Sequence, residues 1–197
     1  MENKFPKNVR QIGNVSDTPK IYVEDYVDTF LNQICDKADK EQAGAFLVGK
    51  KEVTEGQECL YIFGAICMEF SDDENEIISQ ENFEKAEQEK KEYFEDGTMI
   101  GWMLCRPGVR MVIDTKIFNT HEKYFSERNT IFILKDNAEG FNEPHPENKG
   151  GFKYLFWFVN ELKENEAEIA DANLSSDELF TEDSVYVEAK VTDDTAL

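Results

Sequence analysis

The segment from Thr98 to Tyr124 constrains the fold more than any other part of the chain. It opens with Thr98–Leu104, an apolar run without polar alternation, which is typical of a strand covered on both faces of a sheet. Pro107-Gly108 then turns the chain, and Asp114-Thr115 offers an N-cap for a helix that extends to about Tyr124. A central strand followed by a loop and a packed helix indicates a layered α/β domain.

Further helices and strands are predicted around that segment. Apolar residues at helical spacing predict a helix over Ile21–Lys37, and a run of helix formers predicts another over Glu81–Glu95. Four more β-rich runs predict strands, and a short turn makes the first two an antiparallel hairpin: Ala43–Val53, Cys59–Glu69, Thr130–Leu134 and Phe152–Val159. The pattern predicts a mixed β-sheet flanked by helices, of the α/β or α+β class.

The chain divides into three parts by composition. Residues 1–20 contain scattered polar residues, Pro and Gly, and we expect an irregular lead-in there. Residues 21–160 carry the predicted elements and form the domain. Residues 161–197 hold twelve acidic and two basic residues, which predicts a disordered tail or linker, although Val185–Val187 is a candidate edge strand.

The net charge of −21 limits the partners of the chain. Phosphate backbones and anionic lipid surfaces bind clustered Lys and Arg, so nucleic acid and membrane surfaces are excluded as expected partners. The apolar runs are far shorter than the roughly 20 residues that cross a bilayer, and the N-terminus lacks the pattern of a signal peptide. The four cysteines form no CxxC pair, and buried, reduced thiols are expected in a cytoplasmic protein: Cys35, Cys59, Cys67 and Cys105.

The strand end Gly101-Trp102 with Pro107 resembles the active-site segment of the MPN family, the JAMM isopeptidases and their inactive relatives. In that family the strand ends Gly-Trp-Tyr-His-Ser-His-Pro, and a Ser and an Asp follow. The resemblance covers roughly residues 20–160 and implies an MPN/JAMM-like domain with cytidine-deaminase-like layering. The positions of the two His, the Ser and the Asp hold Leu104, Arg106, Asp114 and Ile117 in this chain. Cys105 stands at the position of the Ser between the two His.

The resemblance also assigns a general base, a Glu three residues before a Gly on the early strand. Glu41 and Gly44 have this spacing. The three metal-binding positions hold Leu104, Arg106 and Ile117, none of which ligates zinc, so we expect neither metal nor cofactor. A guanidinium there requires an anion, and we expect Arg106 to pair with Glu41 or Asp114 as a structural cross-link. Two alternatives are an Arg106 that points into solvent and an anion site built with Arg110.

Other chemistry at these positions remains open on sequence grounds. Cys105 and His121 could form a nucleophile pair, although a strand thiol beside Trp102 is more often packing. His145 lies between two prolines and is expected at the surface. The strand Phe152–Val159 is apolar on both faces, so it is either central in the sheet or has one face that docks a partner.

These observations favour a catalytically inactive MPN-like domain that acts as a protein-interaction or scaffolding module. Its expected partner is a protein, in a homo- or hetero-dimer formed through the domain. The alternatives are a hydrolase with an altered, non-zinc site around Glu41, Cys105 and Asp114, and an unrelated α/β binding domain.

Overall fold

The computed structural model describes residues 8–12, 19–38, 41–107, 113–127, 129–136, 153–158 and 186–189. These form one mixed sheet of eight strands with three helices packed on it, which confirms the predicted mixed β-sheet flanked by helices. The strands are β1 Val9–Ile12, β2 Lys20–Glu24, β3 Ala43–Thr54, β4 Gln57–Cys67, β5 Thr98–Cys105, β6 Ile131–Asp136, β7 Lys153–Phe158 and β8 Tyr186–Ala189. The helices are α1 Asp25–Lys37, α2 Gln80–Tyr93 and α3 Thr115–Phe125.

The strands lie in the order β1-β2-β4-β3-β5-β6-β7-β8. The pairs β2/β4 and β5/β6 are parallel, and every other neighbouring pair is antiparallel. The predicted hairpin is confirmed, because β3 and β4 pair antiparallel from Ala45/Cys67 to Thr54/Gln57. The tight turn between them holds Glu55 and Gly56 at positive φ.

Two hydrophobic cores lie on opposite faces of the sheet. On one face, α1 packs its stripe of Val27, Leu31 and Cys35 against β2, β3, β4, β5 and β6. On the other face, α2 contributes Ala86 and α3 contributes Ile117 to the second core. The helices therefore enclose the sheet in three layers.

Strand β5 supplies side chains to both cores, as its uninterrupted apolar run predicted. Met103 and Cys105 belong to the core under α1, whereas Trp102 and Leu104 belong to the core under α2 and α3. All four are fully buried. Because successive side chains of a strand point to opposite faces of the sheet, consecutive apolar residues of β5 contribute to the two cores in turn.

Three sequence predictions need correction at the two ends of the chain. Residues 21–24 are strand rather than helix, because Ile21 and Val23 alternate into the core while β2 hydrogen-bonds to β4 in parallel. The lead-in is not wholly irregular, since Val9–Ile12 pairs with β2. The acidic tail contains Tyr186–Ala189, which pairs with β7 as the edge-strand alternative predicted. The remaining residues of the tail lie outside the described ranges.

Within the described ranges, no helix is both long enough and apolar enough to cross a membrane.

We expect Gly101→Ala to destabilise the fold, because a Cβ at this position of β5 would overlap the carbonyl oxygen and side chain of Ile131 on β6. The loss in unfolding free energy should be about 2 kcal/mol or more, measured by urea denaturation. Gly56→Asn is the matched control, because open space surrounds this turn glycine and Asn tolerates its positive φ of 80°. Equal stability of the two variants would contradict the close approach of β5 and β6.

Candidate functional site

The candidate site lies at the strand ends of the central sheet, where β5 ends and the neighbouring strand β3 begins. Ala43 of β3 pairs with Cys105, the last residue of β5, and Glu41 precedes Ala43 by two residues. Cys105 also faces Lys135 of β6, and the backbone N–H of Arg106 donates to the Lys135 carbonyl at 3.1 Å. The ends of these strands thus bring Glu41, Cys105 and Arg106 to the same end of the central strands.

Two positions at which the family resemblance requires metal ligands are part of a hydrophobic core. Leu104 is 0% exposed and Ile117 is 1% exposed, and both belong to the cluster that also contains Trp102. Hydrocarbon side chains donate no electron pair, so these residues do not fit a zinc ion. Within the described ranges, no three His, Cys, Asp or Glu side chains are grouped as a metal site requires.

The third position, Arg106, forms an ion pair with Asp114. The Arg106 Nη1 atom donates to Asp114 Oδ2 at 2.7 Å, and the side chains are 20% and 41% exposed. The second oxygen, Oδ1, accepts from the backbone N–H of Ile117 at 2.9 Å and caps α3. One carboxylate therefore joins the end of β5 to the start of α3. The structure places Asp114, one of the two predicted anions, against Arg106, and the structural role of the pair stays a prediction. The solvent-exposed alternative for Arg106 is wrong.

Glu41, the residue at the general-base position, is exposed at the same edge. Its backbone N–H donates to the Ala38 carbonyl at 2.8 Å, which links the end of α1 to the segment before β3. Arg110 and His145 lie outside the described ranges, so the predictions that concern them stay predictions.

The Cys105–His121 nucleophile pair is wrong. Cys105 is buried in the core under α1, whereas His121 projects from α3 into the opposite core, beside the Phe125 ring at 5.7 Å. The sheet separates the two side chains. A thiol and an imidazole so placed cannot exchange a proton.

His121 instead belongs to a buried hydrogen-bond chain that the sequence analysis did not identify. Trp102 Nε1 donates to His121 Nδ1 at 3.1 Å, which leaves the proton on Nε2, 3.1 Å from Thr130 Oγ1. The Thr130 hydroxyl then donates to the Phe125 carbonyl at 2.8 Å. Burial lowers the pKa of His121 to about 4, so the ring is neutral near pH 7. Every side-chain polar atom of Trp102, His121 and Thr130 has a partner, which indicates a structural role.

Comparisons with known proteins add little to this geometry. No family model matches the chain, and no curated protein matches it. The solution structure of protein DSY2949 from Desulfitobacterium hafniense is similar at 12% identity and a TM-score of 0.49, covering 71% of this chain and 84% of that one.

Removing either partner of the Arg106–Asp114 pair should weaken the fold. We expect Arg106→Leu and Asp114→Asn each to lower the unfolding free energy by about 0.5–1 kcal/mol, because the pair is half-buried. Asn retains the cap of α3, so Asp114→Ala should cost about 1 kcal/mol more than Asp114→Asn. A double-mutant cycle in urea measures the coupling of the pair. Additive effects of Arg106→Leu and Asp114→Asn would show that no cross-link exists.

The neutral His121 predicts a specific pH dependence. The unfolded state binds a proton near pH 6.5 and the folded state near pH 4, so stability is present above pH 6.5 and is lost as the pH falls. Between pH 7 and pH 5 the unfolding free energy should fall by about 2 kcal/mol through this residue. His121→Gln, which keeps a polar side chain but does not titrate, should lose that part of the slope. An unchanged slope in the variant would contradict the lowered pKa.

Proposed function

We propose that this chain is a catalytically inactive MPN-like domain that acts as a protein-interaction or scaffolding module. The observation that carries the proposal is the ion pair between Arg106 and Asp114, two residues that stand at metal-site positions of the resemblance. A fixed cation with its own carboxylate partner would repel a divalent metal and leave it without a ligand. The buried Leu104 and Ile117 support the same conclusion.

The order of elements supports the MPN-like part of the proposal. The resemblance implies a helix, a hairpin, a helix, a strand, a helix and two strands. The described chain has α1, the β3–β4 hairpin, α2, β5, α3, β6 and β7 in that order. The Gly101-Trp102 pair lies on β5, and the residues of the metal motif follow at its end and at the start of α3.

The rival proposal, a hydrolase with an altered site around Glu41, Cys105 and Asp114, has weaker support. Cys105 is 0% exposed in the core under α1, so it does not share a cleft with Asp114. Both Asp114 oxygens already accept hydrogen bonds, from Arg106 and from the start of α3.

A protein is the partner that the charge of the chain favours. At −21 the chain repels nucleic acid and anionic lipid, so the proposed contact is a homo- or hetero-dimer formed through the domain. Sedimentation equilibrium of the purified chain, and in-cell cross-linking of a tagged chain followed by mass spectrometry, test this. We expect a second copy or one stoichiometric protein partner. A monomer that hydrolyses peptides, with turnover abolished by Glu41→Gln, would replace the proposal with its rival.

Restoring the ligands tests the proposed ancestry. The triple variant Leu104→His, Arg106→His, Ile117→Asp places the family's ligand types at the matching positions, and we expect it to bind about one zinc ion per chain. The original chain and the double variant that keeps Ile117 are the controls, and both should bind far less zinc by elemental analysis after gel filtration. Purification with zinc present should help the triple variant fold, because binding to the folded state stabilises it. A folded triple variant without zinc would count against an MPN-like cradle.

A further inference from the structure

Lys135, near the end of β6, is a fully buried cation, 0% exposed. Its Nζ donates a hydrogen bond to the side-chain oxygen of Asn32 on α1, so the ammonium lies in the layer between sheet and helix. A buried ammonium is costly unless anions or acceptors surround it. The groups that stabilise the buried Lys135 ammonium are therefore of interest, and they do not include Arg106 or Asp114.

Two cysteines lie beside this lysine. Cys105 pairs with Lys135 in the parallel register of β5 and β6, and Cys35 lies one helical turn after Asn32 on α1. Both cysteines are 0% exposed, belong to the same core cluster, and are reduced. Both flank Lys135, Cys105 in the strand register and Cys35 on the turn of α1 that follows Asn32. The end of α1 and the end of β5 thus meet through two sulfur atoms and one ammonium.

The surrounding charges favour a thiolate at Cys35. A hydrogen bond from Cys105 lowers the pKa of the Cys35 thiol most, and the charge of Lys135 lowers it further against the opposing effects of burial and Asp36. Burial lowers the pKa of Lys135, while Cys35, Asp28, Cys105 and Asp36 oppose that shift. An ammonium next to an ionisable thiol stabilises the thiolate, which is the nucleophilic form of cysteine.

We propose that Cys35 and Cys105 are a redox modification site, at which a small peroxide converts the two thiols into a disulfide and Lys135 holds Cys35 as the attacking thiolate. Both thiols are 0% exposed, so the reaction requires α1 to open locally. Cys35 lies two residues before the last residue of α1, and helix ends are where such local opening concentrates. The proposal does not depend on the MPN-like function.

The chemistry balances with hydrogen peroxide as the oxidant. The Cys35 thiolate attacks one peroxide oxygen, the O–O bond breaks, and the departing hydroxide takes up the proton of the original thiol to form water. Cys35 is then a sulfenic acid. The Cys105 sulfur attacks Cys35 Sγ, the S–O bond breaks, and hydroxide leaves with the Cys105 proton as a second water. The two thiols have lost two electrons, and the peroxide has gained them.

The other two cysteines provide internal controls. Cys67 is an exposed residue. Partial burial of its thiol raises the pKa of that thiol, and the charge of Glu89 raises it further. Cys59 donates to the Gln57 carbonyl at 3.6 Å on the opposite side of the hairpin turn from β3. Replacing both by Ser leaves the proposed pair as the sole thiols of the full chain.

The test treats the Cys59→Ser, Cys67→Ser chain with hydrogen peroxide and maps its peptides without reduction. We expect a Cys35–Cys105 link within one chain, two hydrogens lighter, with a raised Tm that dithiothreitol reverses. Adding Cys105→Ser should stop the reaction at a Cys35 sulfenic acid that dimedone traps. Absence of the link under conditions that oxidise Cys67 in the original chain would overturn the proposal, as would sulfonic acids or links between chains.

Lys135→Met in the same background tests the role of the ammonium. An apolar side chain of similar length removes the charge, and we expect the disulfide to form about tenfold more slowly, as one unit of thiol pKa would produce. Lys135→Gln, which keeps a hydrogen-bonding group toward Asn32, is the second variant in case Met distorts the core. Unchanged rates in a folded variant would remove Lys135 from the site.

Discussion

The burial of β5 on both faces is the constraint on which the rest of the structure depends. A strand that supplies Trp102 and Leu104 to one core, and Met103 and Cys105 to the other, must have a helix layer on each side. Its neighbours β3 and β6 then follow, because the backbone groups of a buried strand require partners along both of its sides. The candidate site, the His121 chain and the Lys135 cluster all lie along this strand or at its end.

The edge where β5 ends is held by interactions of a different kind from those of a metal site. Structural zinc contributes roughly 10 kcal/mol or more to small domains, whereas a half-buried ion pair contributes about 1 kcal/mol or less. The Arg106–Asp114 pair therefore does not replace a metal in energy. Leu104 and Ile117 contribute more than the ion pair, since burial of each stabilises the fold by roughly 1.5–3 kcal/mol. The ion pair fixes the orientation of the start of α3 relative to the end of β5, and the two hydrocarbon side chains provide most of the stability.

The sequence predicted local features well and long-range pairing poorly. The N-cap at Asp114 and the hairpin at 54–57 are determined by neighbouring residues, so spacing alone located both. The parallel pairing of β2 with β4 depends on backbone contacts between distant segments, and the apolar stripe of α1 concealed it. The sequence left Glu41 and Asp114 as possible partners of Arg106. It could not distinguish them, because the choice depends on where α3 begins relative to β5. Lys135 gave no signal, since a lysine at a strand end is usually exposed.

The two cores contain buried polar groups that solve the same problem in different ways. His121 is neutral near pH 7, and both of its ring nitrogens form hydrogen bonds, with Trp102 and with Thr130. These bonds stabilise one packing arrangement of the core. Lys135 cannot be satisfied by Asn32 alone, because an ammonium carries three donors and a charge. The nearby positive charge favours the thiolate form of Cys35, which is the nucleophilic form of cysteine. The proposed redox pair therefore lies on the α1 face of β5, on the opposite side of the sheet from Leu104 and Ile117.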